Sequence, residues 1–204
     1  CLGDDLDISL RIGAASSVFG RYNAELFASG HFSRQTKRAA YAAFTLPTLL
    51  YGCEAWKFDT ATEPMLRVFH NRCIRRMCGV SRLLQWHRRI TDAALRSSMK
   101  LQPLAVYVQR RRLGWLGRLA AQPLSSPPRA LLTAFLPLQR RVGATYGSLA
   151  RSYVATLKHA GILPLTRAPR GQPPGPRTWL ALALDKARWN TFVDGLINIP
   201  NLAM

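Results

Sequence analysis

Asp4, Asp5 and Asp7 are the densest run of carboxylates in a chain with only 10 acidic residues, and adjacent carboxylates raise the question of a two-metal site. Two-metal catalysis needs carboxylates converging from separate strands to hold ions roughly 3.5–4 Å apart. No segment upstream of Asp4 supplies such a partner strand, whereas aspartates in a first helical turn complement the helix dipole. A second set, His70, Cys73, Cys78 and His87, has the chemistry of zinc ligands. On a helix, however, Cys73 and Cys78 lie about 140° apart, which turns them away from a common ion. Cysteine as a small core residue fits better. No Ser-His-Asp order, Gly-rich phosphate loop, HExxH or CxxC pair occurs. His31 and His159 fall at expected turns or helix ends. The expectation is a chain with no catalytic residue, no metal site and no cofactor of its own.

Binding chemistry is better represented. Ser33 suits a helix N-cap, and from it Arg34, Lys37, Arg38, Tyr41 and Thr45 recur at helical spacing. Three cations and a ring on one face suit a surface that meets a polyanion, the alternative being a merely solvated face. Ala39, Ala43, Leu46 and Leu50 form the opposite, smooth face, which is expected to pack. Pro47 has no N–H and predicts a kink or break near Phe44, giving two helical pieces. Further on, Arg82, Trp86, His87, Arg88 and Arg89 interleave cations with an indole. That pattern can stack a base or ribose while phosphates are held, or belong to an ordinary core tryptophan. Arg75 and Arg111 are further candidate phosphate contacts. Arg112 falls within an apolar arc with no carboxylate at helical spacing, so it either snorkels or reaches a phosphate outside the bundle.

The elements that must position these residues are helical. Early alternation of Leu6, Ile8 and Leu10 allows a short strand, and helical spacing sets in from about Leu10. Thr60 and Glu63 form a capping-box pattern ahead of a helix with Met65, Leu66, Phe69, Cys73, Met77 and Val80 on one seam, ending at Gly79. Thr91 caps a short helix. Pro103 opens the next, with Leu104, Val108, Trp115, Leu116 and Leu119 on one face. A short apolar helix follows over 129–136, then a basic turn at Arg140-Arg141 and a helix over 147–159. Residues 164–176 are rich in Pro and Gly, and a last helix spans 178–197. The fold class is therefore mostly α: a helical bundle with Pro-rich linkers and a C-terminal helix. It is read as 1–58, 59–122, a linker region 123–176, and 177–204.

The 204 residues carry 29 Lys and Arg, a formal net charge of +19. Self-repulsion of that size calls for a polyanionic partner, and nucleic acid is the expected one. A hydrophobic content of 48% argues for a folded chain rather than a basic tail. The start is acidic, with no apolar leader. The longest uncharged run, 39–53, contains Pro47 and is too short to span a bilayer. Four cysteines make no disulfide framework. These features predict an intracellular, reducing location, nuclear or cytoplasmic, with no membrane partner. The chain opens on Cys1 without an initiator methionine, and is expected to be a fragment of a longer protein.

One region resembles a known family. Lys37, Tyr41, Leu46-Pro47, Leu49-Leu50-Tyr51-Gly52, Glu54 and Trp56 are similar to a stretch just downstream of the palm in LINE-type (non-LTR) retrotransposon reverse transcriptases. Cys1-Leu2-Gly3 resembles the step out of that palm, with Asp7 and Arg11-Ile12 following. Phe69 with Arg72-Cys73-Ile74-Arg75 is similar to the next helix, and Arg111-Arg112-Leu113, Trp115 and Gly117 to a later block. Thr145-Tyr146-Gly147, Asp185, Ala187 and Trp189 match more sparsely. Cys1 stands where the family has an aromatic residue, and Arg118 where it usually has histidine. The resemblance implies a thumb and post-thumb region, Arg34, Lys37, Arg38 and Tyr41 gripping the backbone of a template–primer duplex (RNA or DNA), with Arg75, Arg88, Arg89 and Arg111 behind them. The aromatic-x-Asp-Asp hairpin and its Mg would belong to a palm absent from this chain, as would polymerisation itself. The alternatives are a stand-alone basic helical binding module or scaffold, and a non-functional retroelement relic.

Overall fold

The computed structural model describes residues 4–57, 62–123, 125–130, 149–162 and 178–195. Among them every regular element is helical, as the predicted periodicity requires. The chain divides into two compact units, residues 1–52 with 60–105 and residues 53–59 with 106–204.

The first unit starts with α1 (Asp4–Arg21), whose first turn holds all three aspartates. Asp7 pairs with Arg11 at 3.3 Å. A helix forms where the alternation also allowed a short strand, and on it residues two apart face nearly opposite ways. Ile8 is buried and Leu6 and Leu10 are exposed. Ile8, Ala15 and Phe19 make the buried stripe. Phe19 stacks on Phe27, from the π-helical turn Asn23–Phe27, at 4.3 Å between ring centroids.

The segment after Ser33 corrects the predicted faces. Ser33 caps α2 (Arg34–Ala40), its Oγ accepting the Thr36 N–H at 3.1 Å. A π-helical turn, Tyr41–Thr45, follows, then α3 (Leu46–Leu49). The flanking residues Ala40 and Leu46 both stay at φ −62°, ψ −43°, so the rod continues where a break was predicted. Pro47 falls at the start of α3, directly after the π turn. The extra residue of the π turn redistributes the faces. Lys37, Tyr41 and Thr45, from the predicted outer stripe, are buried together with Leu46, Leu49 and Leu50, while Ala39 and Ala43 are exposed.

Lys37 and Tyr41 are satisfied there, whereas the Thr45 hydroxyl has no hydrogen-bond partner. Lys37 Nζ donates to the Met77 carbonyl at 3.3 Å, at a helix end whose carbonyls lack internal partners. The Tyr41 hydroxyl lies 2.8 Å from His70 Nδ1, and His70 Nε2 lies 3.2 Å from the Gln102 carbonyl. A carbonyl only accepts, so Nε2 carries the proton and Nδ1 accepts from Tyr41. Burial, with the nearby Arg96 charge, holds His70 down to about 4, against the pull of its bond to Gln102.

In α4 (Thr62–Met77), Leu66, Phe69, Cys73 and Met77 are buried along the predicted seam, and His70, Asn71 and Ile74 widen it. The predicted capping residue Thr60 lies outside the described residues. Gly79 ends the helix at φ 67°. Ser81 caps α5 (Arg82–His87) and Thr91 caps α6 (Asp92–Ser98). Asp92 accepts from Asn71 at 2.8 Å and from Gln85 at 2.7 Å, and pairs with Arg75 at 3.6 Å. One carboxylate thus ties α4, α5 and α6 together.

The second unit is built on α7 (Leu104–Ala120), which starts just after Pro103, with α8 (Leu149–His159), α9 (Trp179–Leu184) and α10 (Lys186–Gly195). The single predicted C-terminal helix is two. Asp185 leaves the helical region at ψ 96°, and its Oδ1 accepts the N–H groups of Ala187 and Arg188, starting a new helix. The predicted elements at 131–148 and 163–177 lie outside the described residues.

Trp189 lies flat on Gly117, and a Cβ there would sit 2.5 Å from the indole. That closeness lets Trp189 Nε1 donate to the Leu113 carbonyl at 2.9 Å. Arg112 neither snorkels nor reaches outward. It is 1% exposed, with its guanidinium carbon 4.2 Å from the Tyr153 ring centroid. Its Nε and Nη2 have no hydrogen-bond partner, and burial pushes its pKa down. The Tyr153 hydroxyl donates to the Glu54 carbonyl at 2.8 Å. Cys53 and Cys73 are buried thiols pushed up to about 12 by burial, so neither is reactive.

Three outcomes follow for stability. Native His70 stays neutral to about pH 4 while the unfolded chain takes up that proton near 6.5. The unfolded state therefore binds more protons inside this window, and stability falls as pH drops through it, by roughly 3 kcal/mol in all. Urea titrations across that range should show a shallower pH slope for His70→Gln; matching slopes would refute the assignment. Gly117→Ala should cost about 1–3 kcal/mol, read as a lower thermal midpoint. Arg112→Met keeps the packed stem and removes two orphaned donors, so in the same assay it should be neutral or stabilising, by up to about 3 kcal/mol.

Candidate nucleic-acid interface

The predicted contacts separate into those turned outward and those turned in. Arg34 is exposed and Arg38 half-buried, one helical turn apart on α2. Lys37 and Tyr41, predicted beside them, point into the core and are occupied by Met77 and His70. Of the four candidates on this segment, only the two arginines remain turned outward. Lys37 also sets their position, because its bond to Met77 holds α2 against the end of α4, five residues before Arg82.

A second cationic group surrounds α5. Arg88 and Arg89 are exposed, and residues 81–90 contain three arginines, a histidine and no acid. Asp92, the nearest carboxylate in sequence, is occupied by Asn71, Gln85 and Arg75. That ion pair holds Arg75 half-buried and makes it a lesser candidate for phosphate. Among the described residues, none of Arg34, Arg38, Arg82, Arg88 and Arg89 forms an ion pair. Arg111 is half-buried in the other unit.

Arg82, Gln85, Trp86, His87, Arg89 and Ile90 line a recess of about 620 Å³. Trp86 is 73% exposed there, which rules out the core-tryptophan reading. His87 packs edge-on against it at 5.0 Å. Arg89 adopts φ 50°, a left-handed position usually left to glycine, at a cost of roughly 1–2 kcal/mol. The conformation closes α5, with Ile90 N–H donating to the Gln85 carbonyl and Arg89 N–H to that of Trp86. Trp86 and Arg82 were legible from their interleaving; Gln85 and Ile90 carried no such sign, and the turn after α5 brings Ile90 back to Gln85.

The candidate zinc ligands do not come together. Both nitrogens of His70 are engaged and Cys73 is buried, and among the described residues no three His, Cys, Asp or Glu side chains gather as a metal site. Among the described residues, no helix is long and apolar enough to cross a membrane.

Over 80 residues the chain is 31% identical to a transposon-derived protein of Caenorhabditis elegans. The match takes in 39% of this chain and 29% of the worm protein's length. No family model matches the chain, and no solved structure matches it.

Proposed function

We propose that this chain is the nucleic-acid-holding helical part of a retroelement-derived protein, of the kind the LINE-type resemblance implies, gripping a template–primer duplex by its backbone. The observation that carries the reading is the set of outward arginines without carboxylate partners, Arg34, Arg38, Arg82, Arg88 and Arg89, in a chain of net charge +19. Guanidinium forks match phosphate oxygens in pairs. Contacts of this kind read charge and spacing rather than sequence. The likeness to a transposon-derived protein supports a mobile-element origin. Polymerisation would belong to a palm on another part of the protein. Asp4, Asp5 and Asp7 sit together on the first turn of one helix and do not converge from two elements.

The test is the salt dependence of duplex binding. Each phosphate neutralised contributes roughly 0.9 to the slope of log affinity against log salt. Arg34→Ala with Arg38→Ala should lower affinity and reduce that slope by about 1–2. Lys37→Met should lower the unfolding midpoint and leave the slope of the folded protein unchanged. An unaltered slope in the double arginine variant removes α2 from the contact surface.

A further inference from the structure

We infer that the recess around Trp86 is a stacking site for an unpaired nucleotide, distinct in its chemistry from the backbone grip. The inference rests on the nucleic-acid reading above and deepens it, assigning a preference for single-stranded substrate to one place in the first unit.

Three observations converge. Trp86 is 73% exposed, an uncommon placement for the largest apolar side chain. Its neighbour Gln85 is anchored to Asp92 at 2.7 Å, and Asp92 is held in turn from α4 by Asn71 and Arg75. The wall beside the indole is therefore fixed, and little order has to be created when a ring lands on it. Arg82 and Arg89 border the recess at opposite ends of α5. A flat apolar platform between two cations matches a nucleobase carrying its phosphates on either side. A buried duplex base pair presents no free face to such a platform. An apolar protein partner would leave both guanidinium groups unpaired. The volume, about 620 Å³, accommodates one or two nucleotides rather than a helix.

Arg89, shared with the backbone grip, supplies a second lever. Its φ of 50° strains an arginine and suits a glycine. Arg89→Gly should therefore raise the unfolding midpoint while weakening single-strand binding. A residue kept only for the turn would not produce those two changes together.

The experiment compares a short oligo(dT) strand with a blunt duplex of the same length, both fluorescently labelled, on the full chain at fixed salt. Trp86→Ala should lose roughly 5- to 150-fold in affinity for the single strand. Its duplex affinity should stay within about 2-fold and its salt slopes should not change. Trp86→Phe should recover most of the loss, and circular dichroism melting should match the unaltered chain for both. Equal losses on strand and duplex, or no loss on the strand, overturn the stacking site and leave the indole to a protein partner. If the unaltered chain binds the duplex with a salt slope but Trp86→Ala is silent, only the recess fails. If the unaltered chain binds neither probe at low salt, the backbone grip fails and takes the recess with it.

Discussion

The buried relay from Tyr41 through His70 to Gln102 constrains the first unit more than any other contact. Three polar groups from α2–α3, α4 and the segment before α7 meet away from water, and each must be paired or cost about 1–3 kcal/mol. The pairing is directional, since the Gln102 carbonyl fixes the proton on Nε2 and leaves Nδ1 to Tyr41. It can form only if Tyr41 faces inward. On a regular helix Tyr41, Thr45 and Leu49 share a stripe, with Leu50 about 180° from Tyr41. With the π turn over Tyr41–Thr45, Leu50 is buried as well, and the rod stays intact across the proline.

The outward charge follows from how the few acids are used. Asp7, Glu63 and Asp92 each pair with an arginine within the first unit. Asp92 also holds Asn71 and Gln85. Asp92 is spent on holding helices together, and Asp7 and Glu63 on arginines of their own helices, so none of the three neutralises Arg34, Arg38, Arg82, Arg88 and Arg89. Unpaired cations on a folded body repel one another, and that repulsion is relieved when a polyanion arrives.

What was legible in the sequence was whatever a single helix decides for itself. The caps at Ser33 and Thr91 are side-chain bonds to N–H groups in the first turn. The stop at Gly79 and the start after Pro103 are backbone matters. What could not be read was which face of a helix is inner when a neighbour demands a polar contact. Lys37 and Tyr41 look like surface residues until the Met77 carbonyl and His70 are placed opposite them. Arg112 is the same case in the second unit, since nothing near it in sequence announces the Tyr153 ring. The break at Asp185 was locally encoded, but lay hidden within a continuous apolar periodicity.

This separation bears on what the family resemblance means. Many of the residues that carry it, Tyr41, Leu46, Leu49, Leu50, Trp56, Phe69, Cys73, Ile74 and Leu113, are buried, while Tyr51 and Arg72 are exposed. Lys37 and Arg112 are buried too, and Gly117 is the floor on which Trp189 lies. A resemblance carried largely by packing residues concerns the core more than the surface. The residues proposed to touch nucleic acid, Arg34, Arg38, Arg82, Trp86, Arg88 and Arg89, are all outside it. The packing residues and those proposed to bind are therefore largely separate, and a surface guided by charge tolerates exchange of position so long as sign and spacing persist. The proposed stacking on Trp86 is the exception, because a platform cannot be moved to another helix and keep its flanking cations.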